Sequence, residues 1–116
     1  MADQLLQEIE AIGGWAEELV NQTRDVQQDD AKQVYAAAEE LYNVWQDVLN
    51  AGQLTDDQAA QAMKELRRPL NTISGFTHPH IIGQYGDLPL PMRNLYHQIQ
   101  GASSRLINEM MDALGI

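Results

Sequence analysis

Apolar residues recur every three to four positions in four stretches of the chain, with charged and amide side chains between them. That spacing places the apolar side chains on one face of an α-helix. The first stretch covers residues 2–28, and its apolar positions are Leu5, Ile9, Ile12, Ala16, Leu19 and Val26. Gly13 and Gly14 interrupt it. Because an interior glycine costs up to about 1 kcal/mol against alanine, we expect a bend or a break there, with Trp15 packed into it.

A second helix is predicted to begin at Asp29 and Asp30, because aspartate caps free backbone amides and favours the positive end of the helix dipole. It runs to about Ala51, where Gly52 is a natural C-cap. Its apolar positions are Val34, Leu41, Trp45, Val48 and Leu49. Three successive alanines at 36–38 leave room for another helix to approach closely.

A third helix is predicted to begin at Thr55, which forms a capping box with Gln58. Its apolar positions are Ala59, Ala62, Met63, Leu66, Leu70 and Ile73, and we expect it to end between Gly75 and Thr77. Residues 77–91 contain three of the four prolines and are predicted to form a loop that is long for a helical hairpin. A last amphipathic helix covers residues 91–114, and Gly115 ends it.

Four amphipathic helices in a chain of 116 residues predict one domain with an all-α, four-helix-bundle fold. Residues 1–52 supply the N-terminal helices, and residues 55–114 form a helical hairpin. A hairpin with apolar stripes on both helices cannot bury them alone. It must pack on the N-terminal helices or on a second copy of the chain.

Residues 63–76 read MKELRRPLNTISGF. They resemble the phospho-acceptor box of the histidine-kinase dimerisation hairpin, whose usual pattern is SHELRTPLNxIxGF. The shared residues are Glu65, Leu66, Arg67, Pro69, Leu70, Asn71, Ile73, Gly75 and Phe76. Residues 104–114 are similar to the end of the second helix of that hairpin. The resemblance implies a hairpin that pairs with a second copy, so we expect a homodimer.

Pro69 lies inside the third helix, where a proline removes one backbone hydrogen bond and clashes with the carbonyl of Glu65. Its cost is about 3 kcal/mol. A proline at such a position is typical of a helix kink, and we predict one at Pro69.

The box departs from the family pattern at the positions that carry chemistry. The acceptor histidine falls on Lys64, and the threonine or asparagine four residues later falls on Arg68. A surface lysine amine is protonated near neutral pH and has no free lone pair. Arginine lacks the hydroxyl or amide that orients a water for dephosphorylation. We therefore expect no enzyme activity and no cofactor.

In the family, response regulators dock outside the bundle near the acceptor position. Carried onto this chain, the resemblance implies a partner-binding surface at Lys64, Glu65, Arg67, Arg68 and Asn71. The predicted function is that of a non-catalytic signalling protein, which binds a response regulator or a histidine kinase or associates with itself.

The net charge of −10 disfavours nonspecific binding to nucleic acid or to an anionic membrane. It also leaves an alternative, an acidic helical inhibitor or mimic that acts on a nucleic-acid-binding protein. The acids of the N-terminal half that motivate this alternative are Glu8, Glu10, Glu17, Glu18, Asp25, Asp29, Asp30, Glu39 and Glu40.

Other chemistry has little support in the sequence. The chain has no cysteine, and a metal site needs at least three converging ligands, which His78 and His80 alone do not supply. Phosphotransfer through His78, His80 or His97 is a second alternative. No apolar run reaches the roughly 20 residues of a membrane span, and no signal peptide is visible, so we expect a cytoplasmic protein without a metal.

Overall fold

A computed structural model describes residues 2–116, with side chains from Gln4 onward, as four helices. These are α1 (Ala2–Gln22), α2 (Asp25–Ala51), α3 (Asp56–Ile81) and α4 (Leu90–Leu114). Each helix contacts the next along the chain, and α1 also contacts α4, so the four close into a ring. The bundle measures 46 × 20 × 20 Å. The predicted all-α four-helix bundle is confirmed, and residues 2–116 contain no strand.

The core runs along the axis of the bundle and receives side chains from all four helices. The largest fully buried side chains are Trp45, Tyr96, Ile9, Ile12, Leu19, Leu41, Leu66, Leu70, Ile73, Ile99, Leu106 and Met110. The stripes of α3 and α4 thus pack against α2 and α1 of the same chain. Among the described helices, none is both long and apolar enough to cross a membrane.

The helix ends at residues 52–58 and 115 form as the sequence predicts. Thr55 Oγ1 accepts from the amide of Gln58 at 3.2 Å, and the Gln58 side chain accepts from the amide of Thr55 at 2.9 Å. Gly52 and Gly115 cap α2 and α4 with φ of 73° each, a conformation that favours glycine. The Gly52 cap and the capping box at Thr55 limit the connection between α2 and α3 to the four residues 52–55.

The alternative of a break at Gly13 and Gly14 is wrong, because α1 is continuous to Gln22, and a bend there remains a prediction. The buried residues before the glycines and those after them lie on one stripe that packs into the core, which keeps the helix continuous through the pair. A Cβ built on Gly13 would lie 4.0 Å from the Cβ of Ala38, which itself is buried. The alanines at 36–38 were predicted to let another helix approach closely, and that helix is α1, which contacts α2 at Gly13 and Ala38.

The predicted start of the second helix is also wrong, because α2 begins at Asp25 rather than at Asp29 and Asp30. The Gln28 side chain donates to the carbonyl of Val20 at 3.0 Å. This bond satisfies a free carbonyl in the last turn of α1 and holds the start of α2 against it. Val26, expected in the apolar stripe, is 53% exposed.

The third helix is longer than predicted. It does not end between Gly75 and Thr77 but continues through Pro79 to Ile81, so the connection covers only residues 82–89. Thr77 and His80 are buried, and their packing holds the last turns in place. Pro69 lies inside α3 with a buried side chain, and the kink there remains a prediction. Pro91 lies in the first turn of α4, as expected.

Replacing Gly14 by alanine should stabilise the protein by about 0.5–1 kcal/mol, because Gly14 lies inside a helix and an added methyl group meets no atom within 4 Å. The measurement is urea unfolding followed by circular dichroism. Gly52→Ala is the matched control. Its positive φ makes alanine strained, so it should lose stability instead. A destabilised Gly14→Ala variant would contradict the continuity of α1 at this point.

Candidate interaction site

The residues that the sequence assigns to partner binding lie together on the outside of α3. Lys64, Arg67, Arg68 and Asn71 follow the i, i+3, i+4, i+7 spacing that brings side chains onto one helical stripe. All four are exposed, as is Glu65 beside them. We call Lys64, Arg67, Arg68 and Asn71 the basic face of α3.

The core fixes the direction of this face. Met63, Leu66 and Leu70 are buried on the opposite side of α3, so the stripe that carries the charges must point to solvent. Three of the seven lysines and arginines of the chain fall within residues 64–68. In a protein of net charge −10 this is a local concentration of positive charge.

The two arginines of the basic face contact the helices on either side of α3, which are α2 and α4. Arg68 Nε lies 3.6 Å from Glu40 Oε1 of α2, and Arg67 Nη2 lies 3.9 Å from Met111 Sδ of α4. The side chain of Arg68 is 81% exposed, so its ion pair with Glu40 contributes little stability and is readily exchanged. Both guanidinium groups are therefore available to an incoming carboxylate.

A shallow groove runs along the α2 side of the basic face. Its charged lining residues are Lys64 and Arg68 with Glu40 and Glu65. The Gln61 side chain donates to Glu65 Oε1 at 3.4 Å. Glu40 and Glu65 offset part of the positive charge on this side, whereas Arg67 forms no ion pair among the described residues. The arrangement suits polar docking of an acidic surface.

The three histidines do not form a common site. His78 and His97 are exposed, whereas His80 is buried. Its Nε2 donates to Asp30 Oδ2 at 2.7 Å, and its ring stacks on Tyr96 with centroids 4.7 Å apart. Among the side chains that the structure describes, from Gln4 onward, no three histidine or carboxylate groups converge as metal ligands would. Asp30, expected at a helix start, is instead the partner of this histidine.

The surroundings of His80 form a sealed end of the bundle. The side chain of His80 has no exposed surface, and the Tyr96 ring is fully buried beside it. Burial, together with the nearby Asp30 charge, raises the pKa of Tyr96 to about 12. Tyr96 therefore stays neutral, and His80 is closed to a phosphate donor in this conformation. No sequence signal links His80 to Asp30, since the two are 50 residues apart.

Two carboxyl groups face each other across α1 and α4. Glu8 lies beside Glu109, and Arg105 is the nearest basic group. Glu8 Oε2 is shielded from solvent and, with both groups ionised, has no donor among the described residues. Hydrogen bonding to Glu109, partial burial and the charge of Glu109 together raise the pKa of Glu8. Protonation of Glu8 would supply the missing donor.

Replacing Asp30 by alanine should cost about 1–3 kcal/mol of unfolding free energy, because it leaves the buried Nε2–H of His80 without an acceptor. Urea unfolding measures this loss. The matched control is Asp29→Ala, which removes an exposed acid from the same turn of α2 and should change stability by less than about 0.5 kcal/mol. Equal losses in the two variants would contradict a specific role for the contact between His80 and Asp30.

Replacing Glu8 by glutamine should stabilise the protein at pH 7 and have little effect well below pH 4.5. The pKa of Glu8 is raised in the folded state from 4.5, so protonation of Glu8 favours folding. That contribution is fully present below the unfolded pKa and is lost as the pH rises through the folded pKa. Unfolding free energies of both proteins across this range test the sign.

The control for this pH dependence is Glu10→Gln, which neutralises an exposed acid on the same helix. The unfolding free energy of Glu10→Gln should equal that of the parent protein at every pH. A Glu8→Gln variant that is less stable than the parent at pH 7 would show that Glu8 is better accommodated as a carboxylate.

No protein-family model, curated protein or solved structure matches this chain. The likeness to the histidine-kinase hairpin therefore depends on residues 63–76 and 104–114 alone. The fold and the exposed basic face stand independently of that likeness.

Proposed function

We propose that this protein is a non-catalytic interaction protein of two-component signalling, which binds a response regulator or a histidine kinase through the basic face of α3. One observation carries the proposal. The segment that resembles the phospho-acceptor box presents Lys64, Arg67, Arg68 and Asn71 as one exposed stripe. The same stripe concentrates positive charge on an acidic protein, which gives an acidic partner surface a single preferred place to dock.

The side chains at the two key positions support a non-catalytic role. Lys64 has no imidazole, the group that accepts the phosphoryl group in the histidine-kinase family. The guanidinium of Arg68 binds anions but does not position a water for hydrolysis. The basic face can therefore bind an acidic partner, but it lacks the histidine and the hydroxyl or amide that would transfer or hydrolyse a phosphoryl group.

Self-association is the second form of this proposal. In the histidine-kinase family, the hairpin covers its apolar stripe with a second copy. In this chain, α1 and α2 cover the stripes of α3 and α4, so a dimer would have to use another surface. Light scattering on a sizing column separates the two forms. A partner-binding monomer has a mass of 13.0 kDa, and a homodimer has twice that mass.

Changing Arg67 and Arg68 to glutamate should abolish binding to a receiver domain or kinase that the parent protein captures, because both guanidinium groups would be replaced by like charges. Isothermal titration calorimetry against a panel of purified response regulators and kinases measures this. Lys32→Glu with Arg93→Glu is the matched control. It makes the same change of net charge at exposed positions on α2 and α4 and should leave affinity within about twofold.

Two results would count against the proposal: binding that survives the double change at Arg67 and Arg68, and absence of binding across the whole panel. The acidic-mimic alternative makes the opposite prediction. A nucleic-acid-binding partner would lose affinity when exposed acids such as Glu17 and Glu18 are changed to glutamine, and would be indifferent to Arg67.

A further inference from the structure

A second concave site lies at one end of the bundle, where α2 and α4 end and α1 begins. It is a cleft of about 670 Å³, which falls within the range of small-molecule sites. It is lined by the first turn of α1, by the last turns of α2 and α4, the latter including Ala113, and by the turn at residues 52–54. Helix α3 contributes no lining residue, so the cleft is separate from the basic face.

The wall of the cleft is mainly apolar and includes one donor without an acceptor. Leu5, Trp45 and Leu54 are among the apolar residues that line it. Trp45 is only 1% exposed, and its indole Nε1–H has no hydrogen-bond partner among the described residues. A buried donor without an acceptor is costly. Because Trp45 borders the cleft, its indole N–H resonance reports on a molecule bound there.

The charge of the cleft has one sign. Glu109 and Asp112 line it, and its described lining residues include no lysine, arginine or histidine. The carbonyl ends of α2 and α4 also meet here, and neither helix has a basic residue in its last turn. A helix C-terminus carries partial negative charge that a cation ordinarily complements.

We propose that this cleft binds a small organic cation, an amine on an apolar or aromatic body. The ammonium group lies between Glu109 and Asp112, and the body packs against Trp45 and the leucines around it. The cleft thus combines the three features of a small-molecule site: concavity, an apolar wall and a few convergent polar groups.

Charge complementarity decides between this occupant and others. An anionic molecule would face the carboxylates of Glu109 and Asp112 and two helix C-termini at once, which is repulsive. A protein partner needs roughly 800 Å² of its own surface to form a stable interface, and the described cleft is a confined recess. A small cation satisfies both the size and the sign of the cleft.

The test uses three probes of the same size and different charge: 3-phenylpropylamine, 3-phenylpropanol and 3-phenylpropionate. The full chain carries the change Trp15→Phe, so that Trp45 is the single indole. Its indole N–H resonance is followed by NMR during titration. We expect a saturable shift with the amine, binding about tenfold weaker with the alcohol, and none with the carboxylate. Added salt should weaken the amine's binding.

Two variants locate the site. Glu109→Gln with Asp112→Asn should weaken binding of the amine about tenfold, while the charge-matched control Glu10→Gln with Glu18→Gln should not. Ala113→Phe fills the cleft from an exposed position and should abolish the shift while the circular dichroism spectrum stays unchanged. Equal affinity for amine and carboxylate, unaltered binding by the double variant, or no saturable shift would overturn the proposal.

Discussion

Burial of four apolar stripes in one shared core is the constraint on which the rest of the structure depends. Leu66, Leu70 and Ile73 of α3 are fully buried, and burial of each such side chain contributes about 1.5–3 kcal/mol. Two of them offset the cost of about 3 kcal/mol for a proline such as Pro69 inside a helix. The core therefore holds α3 together where local propensity opposes it, and it holds α1 together at its glycine pair for the same reason.

The two ends of the bundle differ because their connections differ in length. At one end, the eight residues 82–89 fold over the helix ends. Leu88 is buried there, and the Tyr85 ring lies 4.9 Å from that of His80. At the other end, the capping box and Gly52 hold residues 52–55 to a tight turn. Gln53 and Leu54 of this turn line the cleft but do not close it, so the cleft beside Trp45 stays open.

The sequence was sufficient for the four helical stretches, for the caps at Gly52, Thr55 and Gly115 and for the exposed stripe of α3, since each depends on residues within one or two turns. It was insufficient where tertiary contacts override local signals. Gly75 suggested a helix end, but burial of Thr77 and His80 carries α3 past it. The contact between His80 and Asp30 joins residues 50 positions apart, and the cleft joins three helices and a turn, so neither has a local signature.

The residues shared with the histidine-kinase box are not equally informative. Leu66, Leu70 and Ile73 are buried, and any amphipathic helix in a bundle needs apolar residues at such positions. Arg67 and Asn71 are exposed, and the fold does not require them, because surface substitutions of this kind change stability little. The match to the histidine-kinase box at Arg67 and Asn71 is therefore not explained by the need to bury a helix in a core. Under the proposed function, the informative part of the resemblance is the outward stripe of α3, which is exposed to solvent.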